Sequence, residues 1–142
     1  MEPIHILLVE DNEGDVLLTS EALEEGKILN KLSVVRDGKE AKDFLNKEGK
    51  YVKAIAPDLI LLDVNLPKMN GHELLKYIKQ HKDFRKIPVI MLTTSSSKED
   101  IDNSYRNYAN CYITKPLEVD DFIKAVAKIE EFWVNLVKRP SK

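Results

Sequence analysis

The sequence predicts an α/β fold, one parallel β-sheet of five strands with helices on both faces, and three observations carry that expectation. Short unbroken apolar runs, of which Leu59-Ile60-Leu61-Leu62 is the clearest, lack the alternation of a half-exposed strand and read as strands buried on both sides. Segments of helical spacing alternate with these runs along the chain, which is the order that wraps a parallel sheet. Polar residues stand at the ends of the strands, on the rim where open α/β sheets place their chemistry. A length of 142 residues suits a single domain over 1–142. Its core is expected over about 4–130, with an extended last helix and tail over 131–142.

The first strand is Ile4-His5-Ile6-Leu7-Leu8-Val9, closed by Glu10-Asp11-Asn12. Asn12 or Glu13 can begin a helix that runs through Asp15-Val16-Leu17-Leu18 to about Glu25, with Gly26 as its stop. Leu32-Ser33-Val34-Val35 is a weaker strand, and Asp37-Gly38 turns it into a helix over about 39–46 with Phe44 and Leu45 inward. Residues 47–57 make a connection longer than the usual few residues. The central strand then ends at Asp63, and Pro67 and Gly71 punctuate a loop before helical spacing resumes over 73–79, with Leu74, Leu75 and Ile78 on one face. Pro88 introduces a fourth strand, Val89-Ile90-Met91-Leu92, ending at Thr93. The hydroxyl run Ser95-Ser96-Ser97 can cap a helix from about Lys98, with Glu99 and Asp100 well placed for its dipole. Cys111-Tyr112-Ile113-Thr114 is the last strand and ends in Lys115-Pro116. The last helix spans about 117–136, its stripe being Val119, Phe122, Val126, Ile129, Trp133 and Leu136.

A formal net charge of −2 creates no field that would draw nucleic acid or an anionic membrane. Cys111 is the only cysteine, so no internal disulfide can form and nothing points to an oxidising compartment. The start lacks the basic segment and long apolar core of a signal peptide, and no later run reaches membrane-spanning length. A cytoplasmic protein without nucleic-acid or membrane partners is therefore expected. His5, His72 and His81 lack the mutual spacing of a metal site.

In the flavodoxin-like strand order 2-1-3-4-5, strands 1 and 3 are neighbours at the switch point of a doubly wound sheet. Glu10 and Asp11 then face Asp63, and Thr93 and Lys115 end strands 4 and 5 on the same rim. Crowded carboxylates repel and call for positive charge. Lys115 supplies one unit, and a hard divalent cation suits an all-oxygen site; Mg²⁺ typically takes one or two carboxylates and keeps waters that a phosphate can displace. With its charge screened, an Asp63 oxygen could attack a phosphoryl group in line and form an acyl phosphate, while Lys115 and the Thr93 hydroxyl hold phosphoryl oxygens.

These residues resemble the receiver domain of two-component response regulators over essentially the whole chain. The pattern consists of Glu10-Asp11 after strand 1, Asp63-Val64-Asn65-Leu66-Pro67 with Asn70-Gly71, Thr93, Tyr112 and Lys115-Pro116. The resemblance implies that Asp63 accepts phosphate from a phosphohistidine of a sensor histidine kinase. It also implies Mg²⁺ bound by Asp11, Asp63 and the main-chain carbonyl of Asn65, with Glu10 acting through water. Thr93 and Tyr112 would form the switch, reshaping the face made by the fourth helix, fifth strand and fifth helix, and the Lys115-Pro116 bond would be cis. The segment before strand 3, the stretch Asn110 to Lys115 and the tail Ile129-Glu130-Glu131-Phe132-Trp133 are similar to stand-alone regulators that partner bacterial phytochromes. Tyr108 and Cys111 depart from the family, where glycine is frequent in that loop.

Two other functions fit less well. A haloacid dehalogenase-like aspartyl-phosphate phosphatase needs a second acid two residues after the nucleophile, where Asn65 stands and cannot serve as an acid or base. A nucleotide- or flavin-binding domain needs bare amides after strand 1, where Glu10-Asp11-Asn12-Glu13-Gly14-Asp15 is acidic with one glycine. In the tail, Phe132, Val134 and Val137 fall off the stripe of the last helix. The excess apolar surface suggests a homodimer or partner contact, through the C-terminal helix or the face formed by helix 4, strand 5 and helix 5.

Overall fold

The computed structural model of the chain describes residues 2–94 and 111–128. Its strands are β1 (Ile4–Val9), β2 (Asn30–Val35), β3 (Leu59–Asp63), β4 (Val89–Thr93) and β5 (Cys111–Thr114). The helices among the described residues are α1 (Glu13–Glu25), α2 (Gly38–Asn46), α3 (Gly71–Gln80) and α4 (Val119–Lys128). All strand pairings are parallel, as the alternation of elements predicts, and the sheet order is β2-β1-β3-β4-β5, the flavodoxin-like order expected above. The expected Ser95-Ser96-Ser97 cap, the helix from Lys98, Tyr108 and the stripe positions Ile129, Trp133 and Leu136 lie outside the described residues. No helix among the described residues is long and apolar enough to cross a membrane.

Every residue of β3 and β4 is buried, as unbroken apolar runs between two helix layers should be. Side chains alternate across the pleat, and the core is accordingly split in two. Leu7, Val9, Ile60, Leu62, Val89 and Met91 pack with Phe44 and Leu45 of α2 and Leu74, Leu75 and Ile78 of α3. On the other side Ile6, Leu8, Leu59, Leu61, Ile90 and Leu92 pack with Ala22 and Leu23 of α1 and Phe122 and Val126 of α4.

Local signals set the helix ends. Asn12 caps α1 by accepting from the Asp15 N–H at 2.9 Å, and Asp37 caps α2 by accepting from the Glu40 N–H at 2.8 Å. α3 starts at Gly71, two residues earlier than expected, because Asn70 caps it from the loop, its Oδ1 taking the His72 N–H at 2.6 Å. Gly26 does close α1, yet for a different reason than its freedom of backbone. Its φ is −74°, and Lys27 carries the left-handed conformation at φ 55°. Glycine is needed at 26 for space, since a Cβ there would sit 2.3 Å from Cγ2 of Val119.

The long 47–57 connection holds a short 3₁₀ turn, Gly49–Tyr51. The Tyr51 hydroxyl donates to Glu40 Oε1 at 2.7 Å and its ring lies 5.3 Å from that of Phe44, so the segment is tied back to α2. Burial, then the Glu40 carboxylate, push the Tyr51 phenol up to about 12.

Gly71 fixes α3 to the central strand by direct backbone contact. A Cβ there would lie 2.2 Å from the Asp63 carbonyl oxygen and 2.8 Å from Cα of Val64, while its N–H donates to the Val64 carbonyl at 2.9 Å. Backbone cannot yield as a flexible side chain would. Gly71→Ala is therefore expected to lower stability by at least about 2 kcal/mol, measured by urea unfolding; an unchanged midpoint would refute the close approach.

Candidate active site

The rim at the carboxyl ends of the strands gathers the predicted polar residues through register and alternation alone. Val9 pairs with Leu62, so the next residue along each strand sets Glu10 beside Asp63. Glu10 follows Leu8, and Asp63 follows Leu61, which places both on the α1/α4 side. Lys115 follows Cys111 and Ile113 of that same side, and its N–H donates to the Thr93 carbonyl at 2.7 Å. Residues up to 105 positions apart in sequence thus meet.

Oxygens of Glu10, Asp11 and Asp63 all lie within 4.8 Å of one another, with Glu10 and Asp63 buried and Asp11 exposed. Each charged pair at such a separation repels by about 3 kcal/mol at an effective dielectric of about 20. Lys115 Nζ offsets this by donating to Glu10 Oε1 at 2.7 Å, Asp15 Oδ2 at 2.8 Å and Asp63 Oδ2 at 3.2 Å. An ammonium has three N–H donors, so all three are engaged. Burial works against its charge, but the hydrogen bonds to Asp15 and Glu10 and the charge of Asp63 hold Lys115 above the usual lysine range.

Burial is also the main force on Glu10, reinforced by its contact with Asp63 and only partly offset by Lys115, and it raises the carboxyl to about 7. Without a cation the pocket therefore keeps a proton on Glu10 under mildly acidic conditions. The donor set of three carboxylates is all hard oxygen, which fits Mg²⁺ or Mn²⁺ rather than a metal that prefers sulfur or imidazole. The Asn65 N–H donates to Asp63 Oδ1 at 3.2 Å, which fixes the start of the following loop beside the carboxylate.

Thr93 and Tyr112 occupy the other side. Thr93 continues the alternation of Val89 and Met91, and Tyr112, paired with Met91, packs half-buried against the α2/α3 core. Thr93 is buried at the end of β4. The Lys115-Pro116 bond is cis, as the resemblance implied. Cys111 is buried, as a small apolar side chain would be. The sequence reading took Asp15 only as part of a helix start; the structure brings it to Lys115. No local signal could have found it, because its partner is 100 residues away.

The sequence profile of the family described as response regulator receiver domain matches residues 6–127. Response regulator Rcp1 of Synechocystis sp. is 45% identical over 139 residues, covering 98% of this chain and 95% of that protein. The crystal structure of the phosphorylated cyanobacterial phytochrome response regulator RcpA is 45% identical, with a TM-score of 0.78, over 98% of this chain and 99% of that one. The Mn²⁺-bound form of Rcp1 is 45% identical with a TM-score of 0.77, over 98% and 100%.

Glu10 makes the pocket sensitive to pH in the metal-free protein. Its folded-state value of about 7 exceeds the ordinary 4.5, so between those values the folded chain binds the proton that the unfolded chain releases. The stability from this group is full below pH 4.5 and is lost as pH rises through 7. Urea unfolding with chelator present should give wild type a slope more negative than that of Glu10→Gln, by up to about 1.4 kcal/mol per pH unit in this window. Equal slopes for the two proteins would contradict it.

Proposed function

Because the chain belongs to the response regulator receiver family, signalling proteins whose general function is to accept a phosphoryl group from a kinase, we propose that Asp63 is the accepting residue. In the same reading Asp11, Asp63 and the main-chain carbonyl of Asn65 hold the cation, and Glu10 acts through water. The observation that carries the assignment is the gathering of Glu10, Asp11 and Asp63 oxygens within 4.8 Å, beside an ammonium 3.2 Å from Asp63. Members of the family bind a divalent metal, and we take it to be Mg²⁺, whose retained waters a phosphoryl oxygen can displace. When bound, the cation screens the carboxylates and the developing charge on the phosphoryl oxygens.

An Asp63 oxygen attacks phosphorus in line while the P–N bond of the donor phosphohistidine breaks. The imidazole leaves with the electron pair and takes up a proton. Lys115 and the Thr93 hydroxyl hold phosphoryl oxygens, so the chain supplies position and charge, which is most of what this chemistry needs. Asn65 offers no general acid or base, in keeping with a protein that catalyses only its own phosphorylation and dephosphorylation. The donor is a sensor histidine kinase of phytochrome type, by likeness to a phytochrome response regulator.

The new dianion then favours one of two packings. Thr93 moves toward the phosphoryl group and Tyr112 turns inward behind it. Output leaves by protein contact from a regulator made of one domain over 1–142, acting in the cytoplasm. Self-association through the apolar C-terminal segment belongs to the same reading.

Incubation with acetyl phosphate or phosphoramidate and Mg²⁺, followed by intact mass, is expected to add one phosphoryl group to wild type and none to Asp63→Ala. Chelating the cation should slow the wild-type reaction by at least about a hundredfold. A gain of mass in Asp63→Ala would move the acceptor elsewhere. Solution mass should show self-association of the full chain with an acyl-phosphate mimic and a monomer when the chain is cut after Glu130. If both are monomers with and without the mimic, the tail does not mediate association.

A further inference from the structure

The Lys115 ammonium cannot serve a phosphoryl group without giving something up. Its three donors are spent on Glu10, Asp15 and Asp63, and an oxygen of a phosphoryl group approaching Asp63 must take one of them before the new bond forms. The three partners differ in what their release costs. The side chains of Glu10 and Asp63 are 1% and 2% exposed, so while Asp63 is still a carboxylate either would be left buried without its ammonium partner. Asp15 is 30% exposed in the first turn of α1, where water can replace the ammonium and where the helix N-terminus stabilises a free carboxylate.

We propose that Asp15 is a positioning residue for phosphoryl acceptance: it holds the Lys115 ammonium in the resting pocket and surrenders it to the incoming phosphoryl group. The inference rests on the reading of Asp63 as acceptor. Asp15 takes no part in the bonds made and broken. The P–O bond to Asp63 forms as the donor's bond to phosphorus breaks, and Asp15 governs only where the compensating charge stands. Because its hold must loosen before Lys115 can turn to the phosphoryl oxygens, Asp15 opposes acceptance.

The test is the rate of phosphorylation by acetyl phosphate at saturating Mg²⁺, followed by intact mass, in a double-mutant cycle. Asp15→Asn keeps the shape and removes the charge, and is expected to raise the rate about fivefold; Asp15→Ser should act in the same direction, and Asp15→Glu should restore a rate near wild type. In a Lys115→Met background the substitution at Asp15 should change nothing. An unchanged or lower rate in Asp15→Asn overturns the proposal, as does an equal rise in both backgrounds, which would mean a general effect of charge. The Lys115 Nζ resonance gives a second readout if Lys115→Met reacts too slowly to time. Asp15→Asn should shift it in the resting protein and leave it unmoved in the phosphorylated one, and an unmoved resting signal overturns the inference. Failure of wild type itself to gain mass at Asp63 would instead sink the acceptor reading. Urea unfolding of each variant establishes that the compared proteins are folded.

Discussion

One ammonium set among carboxylates is the interaction on which the rim of this sheet depends. Lys115 touches Glu10, Asp15 and Asp63, and without it the two buried acids Glu10 and Asp63 would face each other in a place that water barely reaches. The fold makes such a cluster affordable by confining it to strand ends. Along β3 and β4, burial on both faces leaves no site for a charge before the last residue, and only there, one step past the last apolar residue, do these strands deliver Asp63 and Thr93 to the edge.

The alternation of side chains then divides those groups. Glu10, Asp63 and Lys115 fall on the α1/α4 side, while Thr93 and Tyr112 continue the residues that pack against α2 and α3. Charge is therefore gathered on one side of the sheet and the proposed movable pair on the other, with the ends of β4 and β5 between them. The N–H of Lys115 bonded to the carbonyl of Thr93 is a direct main-chain link across that divide.

Much of this was legible in the sequence, and for identifiable reasons. Unbroken apolar runs marked four of the five strands because a parallel sheet has no wet face, and the polar residue after each run marked the rim. Capping residues located α1 and α2 closely, since Asn12 and Asp37 act on atoms three residues away. What escaped was non-local. The bond from Asp15 to Lys115 spans 100 residues, and nothing in the spacing around either residue records it. Gly26 was legible as a helix stop, but the close approach of Val119 was not, because only the packed α4 brings that side chain there. The 47–57 connection read as an unexplained excess; its purpose as a cover tied to α2 depends on the Tyr51 contact with Glu40, which no local pattern announces.

The contact of Gly71 with the main chain of Asp63 and Val64 has a mechanical consequence. With no side chain between them, the end of β3 and the start of α3 behave as one welded joint, and neither can slide without the other. Load arising at Asp63 is thus braced by the root of α3. A small residue at the root of α3 is in this sense an anchor, holding the end of β3 and the first turn of α3 at one fixed separation.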